Sequence, residues 1–529
     1  MENTIRQGRM DMKKAHYLLL AALFLALFLT GCSGESKTFT ILSGSENQSI
    51  EPIVADYAKE QGYQLEMVYK GSVDSMLELQ NNPEIYDGIW LPNSMWIHMG
   101  DSNNMVKHDK SIFTSPVVFG IKQSKAEELG FTKKEVMVDD ILQAVQQKKL
   151  TFMMTSATQS NSGASAYIGF LYALLGNPET ITKESLQNSQ LQEDIRKLFS
   201  GINRSSGSSG WLKDLYLKGD YDAMVNYEAV IIETNKELMD QGKEPLYVVY
   251  PKNGLTISDN TLGYIDNGNA EKEAFFTSMQ DFLLSEDTQK RVADLGRRTG
   301  LGGVVKNADP NIFNPDWGIQ TETPLVPIKF PTEDVIKEAL TLYQTSFKKP
   351  SYTVFALDFS GSMGGTGEEE LKEALSTLLD QNKAKQYLLQ SSEEDKVVVI
   401  PFNNSVIDIW QANQLSEYPA LLQNVTTSHS GGGTDIYSPV IEGLKLLSKV
   451  DTNQYNPAVI LMTDGRSEGN ISQLEEYYQN LNKDIPVFSI MFGDASDEQL
   501  NEISDLTRAR TFDGKDNLVE AFKNAKGYN

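Results

Sequence analysis

Short apolar runs alternate with amphipathic segments through the C-terminal third of the chain. The runs at residues 352–357, 396–402, 458–463 and 486–492 predict strands. Helical spacing of apolar residues predicts helices at 368–389, 438–447 and 472–482. This alternation indicates a doubly wound, Rossmann-like α/β domain with a parallel sheet between helices. Ligands of such sheets bind beyond the carboxyl ends of the strands, so the loops at Asp358, 428–435 and Asp464 are the candidate sites.

The front half is also mixed α/β, but its order of elements differs. Predicted strands at 38–43, 65–69 and 88–91 alternate with helices at 49–61 and 73–81. A second block follows at 150–233, and residues 245–251 are predicted to cross back into the first block. Two α/β lobes joined by two crossings are therefore expected. The Ser/Gly-rich patch at 205–210 is predicted to be a flexible turn and not a site.

Prolines mark the boundary between the halves. Five of them lie between residues 310 and 331, which indicates an extended connector, and residues 333–347 then have helical spacing up to Pro350. We expect a front domain at 38–308, a Pro-rich linker and connecting helix at 309–349, and a second domain at 350–529.

The N-terminus has the features of an export signal. Four basic residues precede an apolar run at 17–29, which is shorter than the roughly 20 residues that span a bilayer. The run ends in Leu29-Thr30-Gly31-Cys32, which resembles a bacterial lipobox. This resemblance implies removal of residues 1–31, a lipid on Cys32, a tether at 32–37 and a lipid-anchored protein on the extracytoplasmic face of the membrane. An uncleaved signal anchor is the alternative.

The amino-acid composition argues against two kinds of ligand, nucleic acid and structural zinc. The formal charge of −25 argues against nucleic acid, which acidic surfaces repel. Cys32 is the single cysteine, and the histidines that remain after cleavage, His98, His108 and His429, are far apart in sequence. A structural zinc site therefore has no suitable ligand set.

Five oxygen-bearing side chains follow two of the predicted strands and a glycine-rich loop. Asp358, Ser360 and Ser362 occupy alternate positions after strand 352–357, so they lie on one side of the chain. Thr434 follows three glycines, and Asp464 ends strand 458–463. Oxygen ligands of this kind suit a hard divalent cation, Mg²⁺ or a similar ion such as Mn²⁺.

These five positions match the metal-ion-dependent adhesion site of the von Willebrand factor A (VWA) family, and residues 349–529 resemble that family. The resemblance implies direct coordination by Ser360, Ser362 and Thr434. It also implies that Asp358 and Asp464 act wholly or partly through water, and that an acidic residue of a protein partner completes the coordination.

Residues 38–305 resemble the bilobed (type II) solute-binding proteins of ABC importers. The resemblance rests on hydroxyl-rich turns at strand-to-helix junctions and on residues 221–228. It implies a cleft lined by Ser45, Ser72, Ser94, Ser162 and Tyr227, and helix N-termini there would suit an anionic or polyhydroxylated solute. For each serine, simple helix capping is the alternative.

Three functions are compatible with these features. The first is a surface-anchored binding protein whose front lobes bind or sense a small solute while its metal domain engages a protein. The second is the solute receptor of an importer, with the rear domain as a docking module. The third, a metal-dependent hydrolase, ranks last because no nucleophile and base pair can be assigned.

Overall fold

The computed structural model describes residues 37–467, 469–493, 495–515 and 517–528. The predicted signal segment and Cys32 lie outside these residues. Among the described helices, none has the length and apolar character needed to cross a membrane.

The front half forms two lobes, each built on its own sheet. In lobe 1 the strand order is β2 (Tyr63–Tyr69), β1 (Lys37–Ser43), β3 (Gly88–Leu91), β11 (Thr261–Ile265) and β4 (Val106–Ser111). Its helices are Glu51–Glu60, Ser72–Asn81, Ser94–Gly100, Ala270–Leu283 and Glu286–Asp294. One face of the sheet is covered by an aromatic core in which Phe39, Trp90 and Phe276 are fully buried.

Lobe 2 contains the second sheet. Its strand order is β10 (Thr256–Ser258), β5 (Ser115–Lys122), β8 (Ala223–Tyr227), β6 (Phe152–Thr155) and β7 (Ile202–Ser206), and β9 (Leu246–Val249) also pairs with β5. Its helices are Gln123–Glu128, Val138–Gln146, Asn161–Leu174, Lys183–Leu186, Ser189–Phe199, Ser209–Lys218 and Glu228–Asp240.

Three crossings join the lobes, instead of the two expected: one from β4 to β5, one from β10 to β11, and one after helix Glu286–Asp294, where the chain passes from lobe 1 to the buried Val305 of lobe 2. The return crossing therefore lies at 259–260, and its prediction at 245–251 was wrong. Residues 246–249 instead form β9, because their apolar side chains are buried at the edge of the lobe 2 sheet, where the strand pairs antiparallel with β5.

The proline-rich segment follows an irregular path but is packed against lobe 2. Phe313, Trp317 and Ile319 are buried there, because they supply the apolar residues between the prolines. The connecting helix Glu333–Leu342 continues into a π-helical turn, Tyr343–Phe347, and also packs on lobe 2. The Tyr167 hydroxyl donates a hydrogen bond of 2.9 Å to the carbonyl of Ala339, which fixes this helix in place.

The C-terminal domain has a six-stranded sheet between two layers of helices. The strand order is β14 (Trp410–Ala412), β13 (Lys396–Phe402), β12 (Ser351–Asp358), β15 (Asn456–Thr463), β16 (Val487–Met491) and β17 (Thr511–Asp513), parallel except for β14. The helices are Thr366–Leu379, Gln381–Lys385, Tyr418–Thr427, Tyr437–Leu447, Ser472–Gln479, Asp497–Leu506 and Leu518–Gly527.

The four strands that the apolar runs predicted are present in this domain. The predicted helix 368–389 is two helices, because the chain bends at Asp380 and its carboxylate accepts a hydrogen bond from the amide of Asn382, at the start of the second helix.

Candidate metal centre and solute cleft

The predicted metal ligands lie at the carboxyl ends of two neighbouring strands. Asp358 ends β12, and Asp464 directly follows β15, which pairs with β12 in parallel. Asp358 is fully buried, and burial together with the nearby Asp464 raises its pKa. The parallel register therefore brings together residues that are 106 positions apart in the chain.

Both oxygens of the Asp358 carboxylate are engaged by neighbouring donors. The Ser360 amide donates to Oδ1 at 2.7 Å, and the Thr463 hydroxyl donates to Oδ2 at 2.5 Å. An aspartate held in this way orients the loop and presents negative charge to an ion without having to bind it directly.

The two serine hydroxyls lie between the aspartates. Ser360 Oγ and Ser362 Oγ are 3.1 Å apart, and Ser362 Oγ donates to Asp464 Oδ1 at 2.8 Å. Two hydroxyls and one carboxylate oxygen therefore form a continuous chain of polar atoms at the end of the sheet.

A glycine-rich loop closes the site from the other side. The Gly361 amide donates to Gly432 O at 3.0 Å, and the Gly431 amide donates to Phe359 O at 2.8 Å. Gly432 has a φ of 89°, a conformation that favours glycine. Thr434 is also close, since a Cβ built on Gly465 would lie 2.8 Å from Thr434 Oγ1.

The donor set fits a hard cation that retains some of its water. It offers three hydroxyls and two carboxylates, the oxygen chemistry that Mg²⁺ and Mn²⁺ accept. In the described part of the chain, no group of three or more His, Cys, Asp or Glu side chains could hold a metal. A metal site among the described residues would therefore depend on hydroxyl ligands, with Ser360, Ser362 and Thr434 as the residues that would hold the ion.

Three residues that support these loops were missed from the sequence. Thr463 holds Asp358, and Asn403 Nδ2 donates to Gly431 O at 2.8 Å. Glu368 accepts a hydrogen bond of 2.8 Å from the Ser430 amide. Partial burial tends to raise the pKa of Glu368, but hydrogen bonds from Lys372 and Ser430 lower it to about 2. These supporting residues lie on different strands, helices and loops from the residues they hold, so the sequence motif of the ligands does not indicate them.

Two further loop carboxylates near the site, Asp435 and Asp408, each accept a hydrogen bond. Asp435 Oδ1 accepts from the amide of Tyr437 at 3.0 Å, so it caps helix Tyr437–Leu447. Asp408 Oδ2 accepts from the Trp410 indole at 2.8 Å.

In the front half, two of the predicted cleft residues belong to a buried hydroxyl cluster between the lobes. Ser162 Oγ lies 2.8 Å from both Thr155 Oγ1 and Ser209 Oγ. The adjacent Asn161 donates to the Tyr227 hydroxyl at 3.0 Å and accepts from the Trp96 indole of lobe 1 at 2.7 Å.

The other three predicted residues have different environments. Ser45 Oγ accepts from the Gly210 amide at 3.1 Å, which joins lobe 1 to lobe 2. Ser94 Oγ donates to Asp259 at 2.5 Å beside the return crossing, apart from the hydroxyl cluster. Ser72 is buried as the first residue of helix Ser72–Asn81.

The Ser/Gly-rich patch at 205–210 is not a flexible turn. Residues 202–206 form β7, and Ser208 caps helix Ser209–Lys218. Ser209 and Gly210 then contact Ser162 and Ser45. The composition of this patch predicted a flexible turn, whereas the position of its serines between a strand and a helix was the signal for their contacts.

Family models match both halves of the chain. The von Willebrand factor type A domain matches residues 353–523, and the bacterial extracellular solute-binding protein matches residues 39–298. The chain joins a solute-binding domain to a VWA domain. The fold predicted for each half is thereby confirmed. The extracellular family that matches the front domain indicates a location outside the cytoplasm.

The curated relatives are animal proteins that match a small part of their own length. Inter-alpha-trypsin inhibitor heavy chain H3 of Mus musculus is 27% identical over 157 residues, which are 27% of this chain and 16% of the relative. Heavy chain H6 of Homo sapiens is 26% identical over 162 residues, 27% of this chain and 11% of the relative. The chain therefore spans about a sixth or less of these relatives.

Solved structures resemble each domain separately. The sulfate-binding protein SubI from Mycobacterium tuberculosis H37Rv has a TM-score of 0.38 and 17% identity, covering 57% of this chain and 96% of that one. The periplasmic binding protein P5PA has a TM-score of 0.42 and 15% identity, covering 59% and 100%. A von Willebrand factor type A protein from Catenulispora acidiphila has a TM-score of 0.30 and 18% identity, covering 35% and 43%.

Proposed function

We propose that this protein is a lipid-anchored, extracytoplasmic binding protein. Its VWA domain binds a divalent cation, Mg²⁺ or a similar ion, and through it an acidic residue of a protein partner. Its solute-binding domain holds a small solute between the two lobes. Cys32 carries the lipid, and the protein has no catalytic role.

The observation that carries the proposal is that Ser362 lies within hydrogen-bond distance of both Ser360 and Asp464, with Thr434 on the facing loop. Hydroxyls dominate this donor set, so a bound divalent cation would retain net positive charge. Such an ion attracts an external carboxylate, which is the basis for proposing an acidic partner residue.

A buried hydroxyl cluster supports the proposal of a solute cleft. The hydroxyls of Thr155, Ser162 and Ser209 are buried in lobe 2, beside the Trp96–Asn161 contact with lobe 1, and a polar solute could replace their mutual hydrogen bonds. The same observation favours the second candidate function, the receptor of an importer, in which the VWA domain docks the receptor to its membrane complex.

Calorimetric titration of Mg²⁺ into the full chain tests the metal site. We expect saturable binding, and Ser362→Ala should weaken it at least about tenfold. Ser405→Ala is the matched control, because this exposed serine lies on the loop after β13 at the same end of the sheet. Absence of Mg²⁺ binding by the wild type, or equal affinity in Ser362→Ala and Ser405→Ala, would exclude the proposed metal site.

Native mass spectrometry of the full chain tests the cleft. A small-molecule adduct that disappears on mild denaturation supports a working receptor and gives the mass of the solute. Absence of an adduct, with no thermal shift across a panel of anions and metabolites, would leave partner binding as the remaining role.

The mass of the N-terminal peptide from membrane-extracted protein tests lipidation, which Cys32→Ser should abolish.

A further inference from the structure

We propose that the C-terminal helix of the VWA domain, Leu518–Gly527, is a latch across the mouth of the solute cleft, so that opening of the cleft requires its release. This inference rests on the two-lobed cleft of the proposed function but is independent of the metal site.

The mouth of the cleft is a junction of three parts of the chain, formed by Gly71 of lobe 1, Gln159 and Gly207 of lobe 2, and Gly527 and Tyr528 of the VWA domain. A Cβ on Gly71 would lie 2.4 Å from Gln159 O. A Cβ on Gly207 would lie 2.1 Å from the Tyr528 ring, and one on Gly527 would lie 2.1 Å from Gln159 Nε2. At each of these three points the two segments lie too close for an added methyl group; the first contact joins lobe 1 to lobe 2, and the other two join lobe 2 to the VWA domain.

The lobes are closed on each other at this junction. The Val73 amide of lobe 1 donates to Gln159 O at 2.9 Å, and the Gly210 amide of lobe 2 donates to Ser45 Oγ at 3.1 Å. Rotation of lobe 1 about the crossings would break both bonds.

The VWA domain is held firmly to lobe 2. Arg204, which is buried, donates to Asp484 Oδ1 at 2.8 Å and to Arg508 O at 2.7 Å. The Tyr221 hydroxyl donates to Asp484 Oδ2 at 3.0 Å. The Trp211 ring packs on Tyr528 with centroids 4.9 Å apart. Because charged groups in this contact are paired and partly buried, the VWA domain should move with lobe 2.

The contact with lobe 1 is weaker and lies along the latch. Lys70 Nζ is 3.5 Å from Glu520 Oε1 and 2.8 Å from Glu78 of its own lobe. A cavity of about 730 Å³, lined by Lys70, Asp74, Glu520 and Lys523 among others, separates the remaining surfaces. Opening the cleft would therefore leave the contact between the VWA domain and lobe 2 intact and would break the Lys70–Glu520 contact with lobe 1. The latch therefore stabilises the closed state relative to the open state.

Hydrogen exchange of two backbone amides in the full chain reports this opening directly. Val73 and Gly210 are the second residues of their helices, where an amide has no partner within the helix. Their protection therefore depends on contact between the lobes. The Ser75 amide, which bonds to Gly71 O within lobe 1, serves as the internal reference.

Glu520→Lys places a cation against Lys70 and should speed exchange at Val73 and Gly210 roughly three- to tenfold, with Ser75 unchanged. Lys70→Gln, which removes the same pair from the lobe 1 side, should act in the same direction. Asp505→Lys is the matched control, because it breaks a pair of 3.0 Å with Lys218 that joins the VWA domain to lobe 2 alone.

Three results would overturn the latch. The first is unchanged exchange in both Glu520→Lys and Lys70→Gln. The second is equal acceleration in Asp505→Lys, which would indicate general loosening of the domains. The third is an absence of protection at Val73 and Gly210 in the wild type. Since no metal or solute is added, failure here leaves the Mg²⁺ titration as a separate test of the proposed function.

Discussion

Replacing Asp358 by asparagine separates the folding role of this residue from its proposed role at the metal. The asparagine oxygen can still accept from the Ser360 amide, and its NH₂ group can donate to Thr463 Oγ1. We therefore expect the stability of the metal-free chain to change by less than about 1 kcal/mol. The negative charge that would attract a divalent cation is lost.

The expected magnitude follows from ligand linkage. For a dissociation constant of about 0.1–1 mM, 10 mM Mg²⁺ stabilises the wild-type folded state by about 1.4–2.7 kcal/mol. In a domain of this size, that is a rise in Tm of roughly 3–10 °C. Differential scanning calorimetry of the full chain, in EDTA and in Mg²⁺, should show this rise in the wild type and little or none in Asp358→Asn.

Asp435→Asn is the control that matches this change in charge. Asp435 lies on the neighbouring loop and caps a helix, and asparagine caps helices equally well, so the Mg²⁺-dependent rise should persist. A full rise in Asp358→Asn, or its loss in Asp435→Asn, would refute the assignment of Asp358 to the metal site.

Three further predictions concern other parts of the molecule. Asp464→Ala should abolish the Mg²⁺-dependent rise in Tm, and an unchanged rise would contradict its role. Burial raises the pKa of Asp74 from 3.8 to about 7, although the nearby Lys523 lowers it. Because the folded state favours the protonated carboxyl, the contribution of Asp74 to stability is fully present below about pH 4 and is lost as the pH rises through 7. Asp74→Asn should therefore stabilise the chain at pH 8, but only by about 1–2 kcal/mol because Asp74 retains partial contact with solvent, and by almost nothing at pH 4. Urea unfolding at the two pH values measures this difference, and equal effects at both would contradict the prediction. Glu228→Gln should cost about 3–5 kcal/mol in the same assay, since an amide can accept only one of the two 2.7 Å bonds from Arg298 and leaves that buried guanidinium without its counter-charge. Glu237→Gln, at a partly exposed pair with Lys213, should cost under about 1 kcal/mol.

The elements that could be predicted from the sequence are those with a strong local signal. Strands β12, β13, β15 and β16 are continuous apolar runs because both faces of their sheet are covered, and this pattern is visible without any tertiary information. Four of the five proposed metal ligands lie at or after the ends of two of these strands, β12 and β15, and the fifth, Thr434, follows three glycines. Strands β14 and β17 have only three residues each, too few to show a period.

The features that could not be predicted depend on contacts between distant segments. The latch helix has an ordinary amphipathic pattern, and nothing in it indicates that its last residues meet Gln159 and Gly207. The role of Ser209 required knowledge of which helix faces Ser162. Thr463 and Asn403 support the metal loops through hydrogen bonds whose partners are set by the order of strands in the sheet.

The docked connecting helix determines how the two domains can work together. It ends in a π-helical turn at Phe347, and β12 begins at Ser351, so only Lys348, Lys349 and Pro350 separate a fixed part of lobe 2 from the central strand of the VWA sheet. Three residues extend to about 10 Å at most, which is too short for one domain to tumble independently of the other. The proposed metal site therefore has a fixed direction relative to the proposed solute cleft, and a protein bound at that site would be held at one defined orientation to the lobes. Inserting a flexible glycine–serine stretch after Lys349 would remove that orientation while leaving both binding sites chemically intact.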